Sequence, residues 1–121
     1  MAHARFFELT VAGRNLMRVL ERYDAAGMPR IRDVKTETEG NDATVVESLV
    51  PLIERSRPFV SAEVCTRTPA SERAAFLRRL RLLDYRLHVV ESEARSEGVE
   101  TGADDVMRWS HVDVFAVPVE R

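Results

Sequence analysis

The chain is short of cysteine, of glycine and of long apolar runs, and each shortage excludes something. Cys65 stands alone, so no internal disulfide can staple the fold. A disulfide-rich secreted framework is excluded on that ground, and the cytoplasm becomes the default location. No stretch approaches the ~18 consecutive apolar residues of a membrane helix, and residues 1–10 lack a signal-peptide pattern. The five glycines are Gly13, Gly27, Gly40, Gly98 and Gly102, and no two of them stand at Gly-x-Gly spacing. Excess charge is missing too. With 18 basic and 20 acidic residues the net charge is -2, so there is no basic footprint for nucleic acid. His3, His88 and His111 are not at metal-ligand spacing, and no metal site is expected.

What is present is ordinary globular material. A 121-residue chain with 45% hydrophobic and 31% charged residues can bury one core, and a single domain over residues 1–121 is expected. Residues 6–11 read as a short strand. Leu16, Val19, Leu20 and Tyr23 then recur at helical spacing behind Asn15 as an N-cap, with Gly27 and Pro29 as the stop. Residues 30–37 form a second, polar strand in which Ile31 and Val34 are the strongly apolar positions. Asp42 can cap the next helix, whose inner face uses Val45, Val46, Leu49, Leu52 and Ile53. Pro51 must kink that helix or split it into two pieces.

Residues 58–65 carry the best buried strand, through Phe59, Val60, Ala62, Val64 and Cys65. Thr68 and Pro69 open a helix as hydroxyl cap and first-turn proline, and Phe76, Leu77, Leu80 and Leu83 line one side of it. Tyr85, Leu87 and Val89 alternate with Arg86, His88 and Val90 in a further strand. An acidic, glycine-bearing segment covers residues 91–105, and a last strand covers 112–117 before Pro118. Helices alternate with strands until the final pair. That order predicts an α/β layer structure with a mainly parallel sheet and an antiparallel C-terminal strand pair.

The segment with chemical content is Val34-Lys35-Thr36-Glu37-Thr38-Glu39-Gly40. In open α/β sheets ligands bind beyond the carboxyl ends of strands, and this strand delivers two acids to such an end before turning on Gly40. If the chain stays extended, Glu37 and Glu39 share a sheet face. Close carboxylates can raise one another's pKa and act as a general base toward a hydroxyl. The plainer alternative is a solvated edge, with Glu39 and Asp42 complementing a helix dipole. Arg30, Arg32, Asp33, Lys35, Glu37 and Glu39 suit an edge strand, where charge discourages unwanted pairing.

From about Phe7 onward the chain resembles the second half of the FkbM-type S-adenosylmethionine-dependent methyltransferases. Residues 34–40 lie over the family's Leu/Ile-Lys-Ile-Asp-Val/Thr-Glu-Gly fourth strand, and Val45-Val46 over Val-Leu of the following helix. Arg57-Pro58 with Glu63-Val64 is similar to the fifth strand, Asp84-Tyr85-Arg86-Leu87 to Gly-Tyr-Arg-Leu, and Asp113-Val114-Phe115-Ala116-Val117-Pro118 to the final strand. Glu37 replaces the family's strand-four aspartate. The family's Asp-x-Gly-x-Asn-x-Gly cofactor loop, which belongs to its first half, has no counterpart.

The resemblance implies a partial Rossmann-like methyltransferase sheet and O-methyl transfer to a small-molecule hydroxyl. Glu37 and Glu39 would be the catalytic acids, with Lys35 and Glu63 on the substrate side. It implies S-adenosylmethionine as cofactor, or none for this chain by itself, and it assigns no cofactor-binding residue. The expected partner is a chain carrying the missing half, or a second copy in a homodimer; neither nucleic acid nor membrane is expected. The alternative is a non-catalytic α/β interaction module that self-associates through an exposed sheet edge.

Overall fold

The computed structural model describes residues 8–65, 67–90, 99–102 and 112–121. The elements are α1 (Leu16–Asp24), β1 (Asp33–Lys35), α2 (Asp42–Ser48), α3 (Val50–Ser56), β2 (Phe59–Val64), α4 (Ala70–Leu82), β3 (Tyr85–Val90), β4 (Val99–Thr101) and β5 (Val112–Pro118), with a 3-10 turn at Met28–Arg30. They form an α/β layer structure around one five-stranded mixed sheet in the order β1-β2-β5-β3-β4.

The expected mainly parallel sheet is corrected. β1 and β2 pair in parallel, whereas β2–β5, β5–β3 and β3–β4 all pair antiparallel. The cause is the last strand. β1, β2 and β3 point the same way, as their intervening helices require, but β5 returns between β2 and β3 and reverses both contacts. The expected antiparallel C-terminal pair is present as β3–β5. β4 lies inside the acidic segment, where no strand is expected from the sequence, and it extends the sheet beyond β3.

Helix starts and stops follow local chemistry, with three corrections. Asn15 caps α1 by accepting from the Arg18 N–H at 3.3 Å. Gly27, expected to end α1 in the left-handed region, has φ -79 instead; its N–H is taken by the Asp24 side chain, and the chain passes into the 3-10 turn. Pro51 splits its helix into α2 and α3, as one of the two expectations had it. Thr68 caps nothing: Pro69 precedes α4, and the Thr68 hydroxyl lies 3.5 Å from the Gly40 carbonyl. Residues 8–11 are irregular rather than strand, and the rest of that expected strand lies outside the described residues.

One face of the sheet is covered. Val60, Ala62, Val64, Tyr85, Leu87, Val89, Val114 and Ala116 are buried with apolar residues of all four helices, Met17, Val46, Ile53, Phe76, Leu77 and Leu80 among them. The opposite positions are half-buried or exposed. Phe59, Val90, Phe115 and Val117 lie there and are not part of that core.

The amino end of β2 is fastened by Arg57, which ends α3 with φ 52. Its guanidinium donates to Glu120 at 2.5 and 3.0 Å, to the Leu83 carbonyl at 2.6 Å and to the Asp84 carbonyl at 3.0 Å. It also sits 4.7 Å over the Tyr85 ring. The arginine holds the Glu120 carboxyl down at about 2. Burial pushes the Tyr85 phenol up to about 12, and its hydroxyl donates to the Pro58 carbonyl at 2.6 Å. Removing that donor leaves a buried carbonyl unsatisfied. Tyr85→Phe is expected to lower the unfolding free energy by about 1–2 kcal/mol. Urea denaturation measures it, and an unchanged midpoint would show that the bond contributes nothing.

Candidate functional site

The carboxyl ends of β1 and β2 are organised by one side chain that sequence reasoning misassigned. Asp42 was expected to cap its helix. The cap position is Asn41, and the Asp42 carboxylate turns back toward the sheet and is buried. Its Oδ2 accepts from the Thr36 hydroxyl at 2.5 Å and from the Glu63 N–H at 2.9 Å. Its Oδ1 accepts from the Thr38 N–H at 2.9 Å and from the Thr38 hydroxyl at 2.5 Å. The Thr38 hydroxyl in turn accepts from the Asn41 N–H at 3.0 Å.

Burial by itself pushes the Asp42 carboxyl up. The bonds from Thr36 and Thr38, with those from the Glu63 and Thr38 amides, outweigh it and hold the group below the ordinary aspartate value. Asp42 is therefore a charged strut. It joins the end of β1, the turn and the first residue of α2 to the carboxyl end of β2. The turn itself needs two unusual backbones: Glu39 has φ 51 and Gly40 has φ 121. The second is a conformation that glycine alone adopts without strain.

This wiring decides where the expected acids go. β1 ends at Lys35, and Thr36 adds one last bond from its N–H to the Ser61 carbonyl. The extended alternation that would have put Glu37 and Glu39 on one face is broken at Glu39. Glu37 is exposed and lies 3.5 Å from Lys35, also exposed. Glu39 is exposed and lies 3.7 Å from Arg67. Each acid thus answers a different cation. Glu63 is half-buried on the sheet face opposite the core, directly across from Asp113 on β5.

A crevice of ≈ 10 Å³ opens here, lined by Gly40, Asp42, Glu63, Thr68, Arg73 and Phe76 among others, but not by Glu37 or Glu39. That is room for about one water. A nucleoside-sized cofactor does not fit the residues present, which also supply no glycine-rich approach for it. A larger groove of ≈ 680 Å³ runs between α2 and α4, past Ala43, Glu47, Phe76 and Arg79. Its wall is fixed by the paired Arg79–Glu47 bonds at 3.0 and 3.1 Å. Among the described residues no cluster of side chains suits a metal ion, and no helix is long and apolar enough to cross a membrane. Cys65 is buried with a free thiol; His3 and His111 lie outside the described residues.

The residues that sequence reasoning missed are Thr36, Thr38 and Asp42. A signal was available. Thr36 occupies an inward position of a strand, and a buried hydroxyl there requires a partner. Comparison with protein-family models, with curated proteins and with solved structures yields no match.

Asp42 has a testable signature. Its folded pKa lies below the unfolded value of 3.8, so in acid the unfolded chain binds more protons. The stability contributed by Asp42 is complete above that value and drains away as pH falls through the folded pKa. Asp42→Asn is expected to cost about 1–3 kcal/mol near neutrality, because the Glu63 N–H then faces an amide donor. It should also flatten the acid limb of stability. Urea unfolding near neutrality and in acid reads both effects, and equal acid sensitivity in the two proteins would refute the assignment.

Proposed function

We propose that this chain corresponds to the second half of an FkbM-like, S-adenosylmethionine-dependent O-methyltransferase domain, without activity unless the cofactor-binding half is supplied. One observation carries the reading. The four segments that resemble the family's fourth strand, fifth strand, Gly-Tyr-Arg-Leu run and final strand fall on β1, β2, β3 and β5. The first three are co-directional and the last is reversed, giving the antiparallel C-terminal pair that a partial Rossmann-like sheet of this kind implies. The glycine turn and helix that follow β1 stand where such a sheet opens to ligands. The edge position of β1 also fits, since strand four of a full sheet has a neighbour on its outer side.

This reading assigns proton acceptance from a substrate hydroxyl to Glu37 and Glu39, which are exposed and outside the crevice in this chain, and the substrate side to Lys35 and Glu63. Much of the remaining contribution is positioning. The methyl donor would come with the missing half, so no step is assigned to it on this chain.

A second reading, a non-catalytic module that self-associates through its sheet edge, is favoured by one specific feature. Val34 occupies the register position bonded to β2, so the N–H and C=O groups of Asp33 and Lys35 point away from it. Among the described residues no strand pairs with them.

The test is titration of the isotope-labelled chain with a separately produced polypeptide carrying the glycine-rich cofactor half of an FkbM-type methyltransferase, S-adenosylhomocysteine being present at millimolar concentration, followed by amide chemical shifts. Changes along β1 and at residues 37–42 and 63–65 are expected, with no methyl transfer by the chain alone. Absent or scattered changes would remove the methyltransferase reading and leave the module.

A further inference from the structure

The stretch from Leu9 to Tyr23 carries apolar and cationic side chains that the fold leaves in water. Leu9, Val11, Leu16 and Tyr23 are 83%, 74%, 44% and 73% exposed. Among the described residues the other large apolar side chains so exposed are Leu82 and Val119. Apolar side chains exposed singly are ordinary, but four in one short stretch mark a surface with a use. Helix α1 sorts them by side. Met17 and Leu20 turn to the core. Leu16, Val19 and Tyr23 stand at i, i+3 and i+7, so they share the flank next to Leu20.

A row of cations borders that flank. Arg14, Arg18 and Arg22 line one open groove of ≈ 210 Å³ with Val19 and Tyr23, and among the described residues no acid lines it. All three arginines are exposed, and among the described residues none is ion-paired. The Arg22 guanidinium lies 5.3 Å over the Tyr23 ring. The acids of the stretch are placed elsewhere. Asp24 accepts from the Gly27 N–H, Glu21 stands one turn after Met17 on the side away from Val19 and Tyr23, and Glu8 precedes α1. Residues 8–24 are therefore neutral in sum, and what they offer is charge separated by face. A helix is about 10 Å across, close to the screening length in salt. A surface laid on the groove side senses the arginines first.

We infer that α1 and the residues before it rest on an anionic lipid surface, with Leu16, Val19 and Tyr23 at the boundary of headgroups and acyl chains and Arg14, Arg18 and Arg22 on the lipid phosphates. An apolar flank bordered by arginines is the layout of a helix lying in the plane of that boundary. Tyrosine suits the depth, since one end of its ring is apolar and the other wet. Arginine stems lie along apolar surface while their guanidinium groups fork onto phosphate. The apolar groups decide for lipid over other anions. A nucleic-acid backbone or a soluble phosphate would engage the arginines and leave Leu9, Val11 and Leu16 in water. With nine residues, α1 lies on the surface and does not cross it. It packs against the 3-10 turn ahead of β1, away from the carboxyl ends of β1 and β2, so the inference is independent of both functional readings above.

Co-sedimentation with phosphatidylcholine vesicles, with and without a third of phosphatidylglycerol, tests it at low salt. The chain is expected to pellet with the anionic vesicles and to stay in solution with the neutral ones. An arginine near an anionic surface contributes about fivefold, so Arg18→Gln combined with Arg22→Gln should weaken binding roughly 25-fold. Leu16→Ser combined with Tyr23→Ser should weaken it about tenfold or more. Arg67→Gln, beyond the carboxyl end of β2, removes one exposed cation at the other end of the sheet and should change nothing. These side chains are all exposed, and circular dichroism should show unchanged helix content. No pelleting with anionic vesicles, or equal pelleting with neutral ones, overturns the inference. So does binding that survives loss of both arginines, or that falls as far in Arg67→Gln. Binding lost with the arginines but kept without Leu16 and Tyr23 also overturns it, in favour of a soluble anion.

Discussion

The buried carboxylate of Asp42 is the constraint on which the rest of the molecule's working end depends. Four donors converge on its two oxygens, from the strand end, from the turn and from the neighbouring strand. Without a charged acceptor there, the Thr36 hydroxyl and the Glu63 amide would be buried polar groups without an answer, each costing about 1–3 kcal/mol. Its presence explains why β1 stops after three residues, why the chain turns through Glu39 and Gly40 in left-handed conformations, and why α2 starts where it does. The same wiring faces Glu37 and Glu39 into solvent.

The two ends of the sheet are built differently. At the amino end of β2, Arg57 gathers two carbonyls, a carboxylate and an aromatic ring into one contact. That clamp joins the α3–β2 turn, the α4–β3 turn and the segment after β5. At the opposite end a single aspartate does the joining, and exposed acids surround it. Fixed elements carrying a less constrained loop end is the usual division of labour in α/β sheets.

Sequence periodicity carried the reading wherever burial is one-sided and local. β2, β3 and β5 show the alternation of apolar residues that their burial patterns return, and α4 shows its buried stripe of Phe76, Leu77 and Leu80. Pro51 acts through its own backbone and Asn15 through its side chain on an amide three residues ahead, so both effects are local and could be read directly. The sheet's direction could not be. A helix separates β2 from β3 and implies a parallel crossover, yet nothing local tells that β5 will return between them. β4 hides in an acidic segment because its three residues are held by pairing with β3. The candidate site was legible in place but not in detail. The acids at residues 37 and 39 do follow the carboxyl end of β1, while the side chain that orders that end looked like a routine helix cap.

The saturation of Asp42 has an evolutionary corollary. Both its oxygens are already occupied, so it has no lone pair to lend to a substrate and is free to be selected for architecture alone. Thr36, Thr38 and Asp42 therefore form one heritable unit. A lineage that exchanged Thr36 for valine would gain strand propensity and strand an oxygen, and compensation would have to come from the same trio. In an alignment of relatives these three columns should covary, while the glutamates between them drift or hold according to the chemistry each descendant keeps.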